Sequence, residues 1–155
     1  VNPLRRAARW LGSRRWFMRA ARAVPWIDKR LYRYSGGRVS LLGIATLPSM
    51  RLTTVGRRSG LRRTVNLLYF PRGDEFVLVG SNWGRTRDPG WAHNLRAQPK
   101  AVVEIRRREI PVVATEMTGE RYPALWREVL AFWPGYAMER AEAGRELPLF
   151  VLARR

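Results

Sequence analysis

The chain has 155 residues and a mass of 18.0 kDa, the size of one ordinary domain, and 46% hydrophobic residues with seven tryptophans suffice for one substantial core. Its formal charge of +18, from 28 arginines and two lysines, Lys29 and Lys100, against 12 acidic residues, points to a polyanionic partner and in part to the codon bias of a GC-rich genome. With no cysteine and a single histidine, His93, the inventory excludes disulfides, iron–sulfur centres, thiolate or histidine-cluster zinc sites and cysteine nucleophiles.

No apolar run approaches the roughly 20 residues that cross a bilayer, and the first residues lack a short apolar segment followed by a small-residue cleavage site, so a cytoplasmic protein is expected. Residues 3–23 interleave Leu4, Trp10, Leu11, Phe17 and Met18 with seven arginines at helical spacing. Residues 1–24 are therefore expected to form a basic amphipathic helix. It suits either attachment through residues 1–23 to an anionic membrane, such as the inner face of the cell membrane, or packing on the domain formed by residues 25–155. A second helix is expected from Pro25 to Tyr34, ended by Gly36 and Gly37, with an irregular connection over 39–47.

Strand character begins at Met50. Residues 50–55 and 64–70 are expected to pair across the turn Gly56-Arg57-Arg58-Ser59-Gly60, and residues 75–80 form a third strand after Pro71-Arg72-Gly73-Asp74. Asp88-Pro89 has the form of a helix start with a capping carboxylate, and Pro99 closes that helix. Residues 101–105 and 110–116 alternate as a hairpin about the basic turn Arg106-Arg107-Arg108; Thr118 is expected to cap a helix reaching Trp133; a short helix follows Pro134; residues 147–152 form a last strand. About six mostly antiparallel strands with flanking helices predict a mainly β, α+β domain built as a small closed or half-open barrel.

Two segments are candidates for chemistry. The turn from Thr53 to Thr64 combines backbone N–H groups, the Ser59 hydroxyl and several guanidinium groups, which suits a phosphate or carboxylate as readily as it suits a solvated loop. The segment from Gly80 through Ser81, Asn82 and Trp83 to Trp91 and Asn94 offers small residues for close approach of a flat ring and polar side chains for its heteroatoms, with core packing for Trp91 and helix capping for Asn94 as the alternative. The acidic residues are scattered, so neither a carboxylate pair for glycosidase chemistry nor a hard-metal cluster is expected.

In order, LTTVGRRSGLRRT, LLYF, RGDEFVLVGSN, DPGWAHNLRAQPKAVVEI, WPGY and ELPLFVL resemble the signature of the deazaflavin-dependent nitroreductase family, whose members reduce quinones and nitro compounds with coenzyme F-420 and are typical of actinobacteria; the likeness spans about residues 30 to 153. The resemblance implies a split β-barrel like that of flavin-mononucleotide-binding oxidoreductases. It also implies that Arg57, Arg58, Ser59, Gly60 and Arg63 hold the phosphate and acidic tail of the coenzyme. Asn66, Leu68, Val79, Gly80, Ser81 and Asn82 would then lie along the deazaflavin ring, with Gly90, Trp91 and Asn94 closing over it. Ser81 and Tyr136 would steer an oxygen of the acceptor and assist its protonation. The sequence departs from the pattern at Trp83, where glycine is usual, at Ala92, where an aromatic is common, at Asn66, where proline is frequent, and at Glu139, which replaces an aromatic.

The expected activity is hydride transfer from the reduced coenzyme to a quinone, nitro compound or similar acceptor by a monomer, with no metal. A nucleic-acid-binding basic module and a non-catalytic deazaflavin carrier are the alternatives. The absence of a recognition-helix, RNP-like or zinc pattern argues against nucleic acid as the partner.

Overall fold

A computed structural model describes residues 48–155 of the chain. The expected amphipathic helix over 1–24, the helix from Pro25 and the connection over 39–47 lie outside the described residues. Seven strands and three helices follow in the order β1 (Ser49–Val55), β2 (Arg62–Leu68), β3 (Phe70–Arg72), β4 (Glu75–Val79), α1 (Gly90–Ala97), β5 (Lys100–Ile105), β6 (Arg108–Met117), α2 (Arg121–Phe132), α3 (Gly135–Ala143) and β7 (Leu149–Arg154), with a single tight turn at Asn82–Gly84.

All seven strands form one antiparallel sheet in the order β2-β1-β5-β6-β7-β4-β3. The first and last strands of that order are separated in the chain by Tyr69 alone. One residue spans under about 4 Å, so the sheet must curl until its two ends meet, which makes a barrel with a seam.

Burial follows the pleat. On β1, Met50, Leu52 and Thr54 are buried while Arg51 and Thr53 stay partly exposed, the alternation of a strand with one wet face. β4 and β7 are apolar on both faces because they are covered on both. Phe76, Leu78, Phe150 and Leu152 join Met50, Leu52, Val103, Val112 and the α1 residues Trp91 and Leu95 inside the barrel. Val77, Leu149 and Val151 face outward onto Leu125, Trp126, Val129 and Trp133 of α2 and its C-terminal end. Each fully buried leucine or valine contributes roughly 1.5–3 kcal/mol, and two such layers explain why a short chain carries so many large apolar residues.

The structure corrects the sequence expectation in four places. There are seven strands, the extra one being the three-residue β3, too short to show a period of two. β2 begins two residues earlier than expected and ends at Leu68, because Tyr69 turns the chain across the seam and its N–H donates to the Pro48 carbonyl at 3.0 Å. Asp88 does not cap α1: Pro89 occupies the cap position and the Asp88 carboxylate binds Arg96 and Arg145 instead. Thr118 does not cap α2; Glu120 precedes that helix, and Gly119 at φ +62° makes the bend leading to it.

Candidate active site

A cavity of about 280 Å³ opens where four pieces of chain meet: β2, the end of β4 with its following turn, the start of α1, and α3. It is close to the lower bound of about 300 Å³ for small-molecule sites, so it suits one flat ring system. Val65, Asn66, Leu67 and Leu68 all border it. Side chains of a strand alternate between faces, so four consecutive lining residues mean that the cavity lies along the edge of β2. Among the described residues β2 pairs with β1 alone, so its other edge faces the cavity.

The other end of β2 carries the arginine turn. Gly56 N–H donates to Leu61 O and Gly60 N–H to Gly56 O, both at 2.8 Å, and Leu61 N–H donates to Ser59 Oγ at 3.3 Å. Gly60 sits at φ +67°, where a side chain would be strained. Arg57, Arg58, Arg62 and Arg63 project from this turn into solvent, and none pairs with a carboxylate of the described residues. From Arg62 to Asn66 is four strand residues, roughly 13 Å, so the cationic turn and the cavity lie on one line along β2.

The residues singled out in the sequence divide between these places. Asn66, Leu68, Val79, Ser81, Asn82, Trp91 and Tyr136 line the cavity. Arg57, Arg58, Ser59, Gly60 and Arg63 form or flank the exposed turn. Asn94 does neither: it is buried, its Oδ1 accepts from Arg57 N–H at 3.1 Å and its Nδ2 donates to Thr54 Oγ1 at 3.0 Å, so it fastens α1 to the start of the turn. Gly80 does not border the cavity; its N–H donates to Pro148 O at 2.8 Å, and a Cβ there would lie 2.5 Å from Pro148 Cγ, so packing against β7 demands the glycine. Gly90 is exposed at the first turn of α1.

Two features escaped the sequence reading. Arg145 clamps the segment after β4: its guanidinium pairs with Asp88 at 2.6 Å and donates to the carbonyls of Gly80 at 3.0 Å, Arg85 at 3.2 Å and Arg87 at 3.1 Å. Asp88 is held from its other side by Arg96, whose own guanidinium makes a two-pronged contact with Glu116 at 2.6 and 2.7 Å. The hydrogen bonds that Arg96 donates to Glu116, and then to Asp88, push its pKa up. The second feature is Glu139, which lines the cavity at 4% exposure. Burial pushes its carboxyl up to about 7, opposed by a hydrogen bond from the Ser81 hydroxyl and reinforced by Glu142. Its Oε2 is sealed from solvent with no hydrogen-bond partner. Tyr136, one helical turn earlier, has its phenol raised far above the ordinary range, first by burial and then by Glu139.

The arrangement thus sets a cavity and an exposed cationic turn on one line along β2. Residues 26–154 match the family described as F-420H(2)-dependent quinone reductase. The chain belongs to that family. It is 31% identical over 128 residues, 81% of this chain and 86% of the other, to an F-420H(2)-dependent quinone reductase of Mycobacterium tuberculosis. A structure of an F-420-H2 dependent reductase (FDR-A) superposes with a TM-score of 0.61 at 28% identity, covering 68% of this chain and 93% of that one. A second structure, described as a domain-swapped dimer, superposes with a TM-score of 0.63 at 26% identity over 82% and 96% of the two chains.

Family membership makes the chain an oxidoreductase dependent on coenzyme F-420, and the split barrel implied by the resemblance is the fold observed. It also gives the departures from the family pattern a physical reading. Trp83 stands at φ +57°, ψ +40°, the left-handed region in which glycine is free and a bulky side chain costs about 1–3 kcal/mol, and it walls the cavity. Ala92 is wholly buried in the barrel core. Asn66 and Glu139 both border the cavity, so three of the four departures fall on its lining.

Proposed function

We propose that the chain passes hydride from reduced coenzyme F-420 to a small quinone, with the deazaflavin ring in the cavity and the anionic tail on the arginine turn. The observation that carries this reading is the continuity of the two along β2: a cavity bordered by Val65 to Leu68, leading in roughly 13 Å to four exposed arginines. A flat heteroaromatic ring with a polyanionic tail matches both ends.

The coenzyme supplies the hydride, from C5 of its reduced ring, when bound. The protein orients and shields. Arg57, Arg58 and Arg63, with the Ser59 hydroxyl, would hold phosphate and carboxylates; Asn66 and Leu68 would border the ring; Leu67, Val79 and Trp91 would exclude water from it. Tyr136 stays protonated across the physiological range, so it acts as a hydrogen-bond donor that fixes an acceptor oxygen. Ser81 shares that task. The small volume, with Trp83 as a wall, favours a compact quinone over a bulky nitroaromatic.

A monomer is the working species in this reading, checked by gel filtration; a domain-swapped species would elute at twice the mass. A lipid-soluble quinone would suit attachment through residues 1–23, and liposome binding that survives their deletion would remove that part of the reading.

The decisive test is titration with oxidised and reduced coenzyme F-420 beside flavin mononucleotide, followed by fluorescence, with menadione then added to the reduced complex. Selective deazaflavin binding with rapid reoxidation is the expected result. Binding without reoxidation would identify a carrier, and no deazaflavin binding would overturn the proposal.

A further inference from the structure

Reduction of a quinone needs more than hydride: the oxygen left negative must receive a proton. Inside a cavity walled by Val65, Leu67, Leu68, Trp83 and Trp91, bulk water is a poor source of one. Neither residue expected to assist can supply it alone. Tyr136 holds its proton too tightly, and a serine hydroxyl has none to lose at neutral pH unless another group replaces it.

Glu139 stands behind both. It stands in the same cavity lining as Ser81 and Tyr136, feels the Ser81 hydroxyl as a neighbour that favours its charged form, and keeps away from solvent an Oε2 that has no hydrogen-bond partner among the described residues. α3 packs on the Asn82–Gly84 turn that follows Ser81: a Cβ on Gly84 would lie 3.3 Å from Glu142 Cβ and 3.5 Å from the Glu139 carbonyl oxygen. No ion pair of the described residues neutralises the Glu139 carboxylate. A buried carboxyl without a cation is stable as the neutral acid, which is the form that donates.

We propose that Glu139 is the proton source for the acceptor, discharging through the Ser81 hydroxyl. This rests on the reductase reading above. Hydride arrives at the quinone with two electrons, which oxidises the coenzyme by two electrons and leaves one quinone oxygen anionic. The Ser81 O–H breaks as its proton joins that oxygen, and the Glu139 O–H breaks as its proton replaces the one on Ser81 Oγ. The products are hydroquinone, an unchanged serine and the Glu139 carboxylate, which takes a proton from water before the next cycle. The charged and ionisable groups around the carboxyl are Tyr136 and Glu142 on α3, Arg85 in the cavity wall, and Arg145, already engaged by Asp88. Poise of the carboxyl near 7 suits a group that must both give and regain a proton near neutrality.

The first measurement is made on the chain without coenzyme: carboxyl carbon NMR of the glutamates across about pH 4 to 9, with Glu139→Gln identifying the resonance. A midpoint near neutrality is expected; a midpoint in the ordinary glutamate range overturns the proposal. The second is single-turnover reoxidation by menadione of the reduced-coenzyme complex in the wild type, Glu139→Gln and Ser81→Ala, after coenzyme affinity has been measured for each. The wild-type rate is expected to fall about tenfold per pH unit above the midpoint. Glu139→Gln is expected to bind coenzyme normally and Ser81→Ala more weakly, and at saturating coenzyme both are expected to react on the order of 100-fold more slowly, with that pH break gone. A Glu139→Gln protein that keeps the wild-type rate and break overturns the proton-source role while leaving the reductase intact. A wild type that binds no deazaflavin, or binds it and never reoxidises, overturns the reductase reading and this proposal with it.

Discussion

Glu139 illustrates how one side chain carries both a stability cost and a chemical use. Its folded-state carboxyl sits near 7, above the unfolded value near 4.5, because burial penalises its charge. The folded state therefore holds this proton more tightly than the unfolded chain. That stability is fully present below about pH 4.5 and is lost as pH rises through 7. The shift corresponds to something on the order of 3 kcal/mol. Glu139→Gln removes the charge and should leave stability at about pH 5 little changed while raising it at about pH 8, so the melting temperature gained over wild type should grow by roughly 5–10 °C between the two. A gain that is the same at both pH values would show that the carboxyl is not buried as described. The sequence showed Glu139 only as a departure from a family pattern; its burial depends on where α3 packs, which spacing along one helix cannot reveal. Asn94 shows the converse. Its position beside Trp91 suggested a ring contact, yet Thr54, 40 residues earlier, takes its amide.

The elements themselves were largely legible because period-two alternation marks a half-wet strand and a continuous apolar run of four or five residues marks one covered on both sides, as in β4 and β7. What joins them was not. The segment between β4 and α1 has little regular structure and is held by Arg145 through carbonyl oxygens, groups that every residue possesses and that leave no trace in side-chain identity. Arg145→Ala should cost roughly 1–3 kcal/mol in urea unfolding and weaken coenzyme binding, because several charge-assisted hydrogen bonds are lost together. Arg145→Lys should recover little, since an ammonium cannot span carbonyls of Gly80, Arg85 and Arg87 with a planar fork. Full recovery with lysine would reduce the clamp to a simple charge effect on Asp88.

For the molecule as a whole, net charge suggested a polyanionic partner without placing it, and the fold places at one end of β2 four exposed arginines that have no ion pair among the described residues. Replacing Arg57, Arg58 and Arg63 together by serine should weaken binding of the full coenzyme at low salt by on the order of 10- to 100-fold and flatten its salt dependence. Affinity for a tailless deazaflavin riboside should hardly change. Equal losses for both ligands would mean that the turn supports the ring pocket and not the tail. The sheet order was beyond the sequence: pairings such as Val77 with Val151 join residues far apart in the chain, and nothing local selects them over other apolar partners.

That order makes β7 the keystone. It lies between β6 and β4, so it alone joins the four-stranded piece β2-β1-β5-β6 to the ribbon β4-β3. During synthesis β3 and β4 emerge long before the strand that ties them to β6, and they must wait, edges open, through the making of three helices and a hairpin. Folding is consequently a late and cooperative event, gated by the arrival of residues 149–154, and clipping those few residues would not fray an end but part the sheet through its middle.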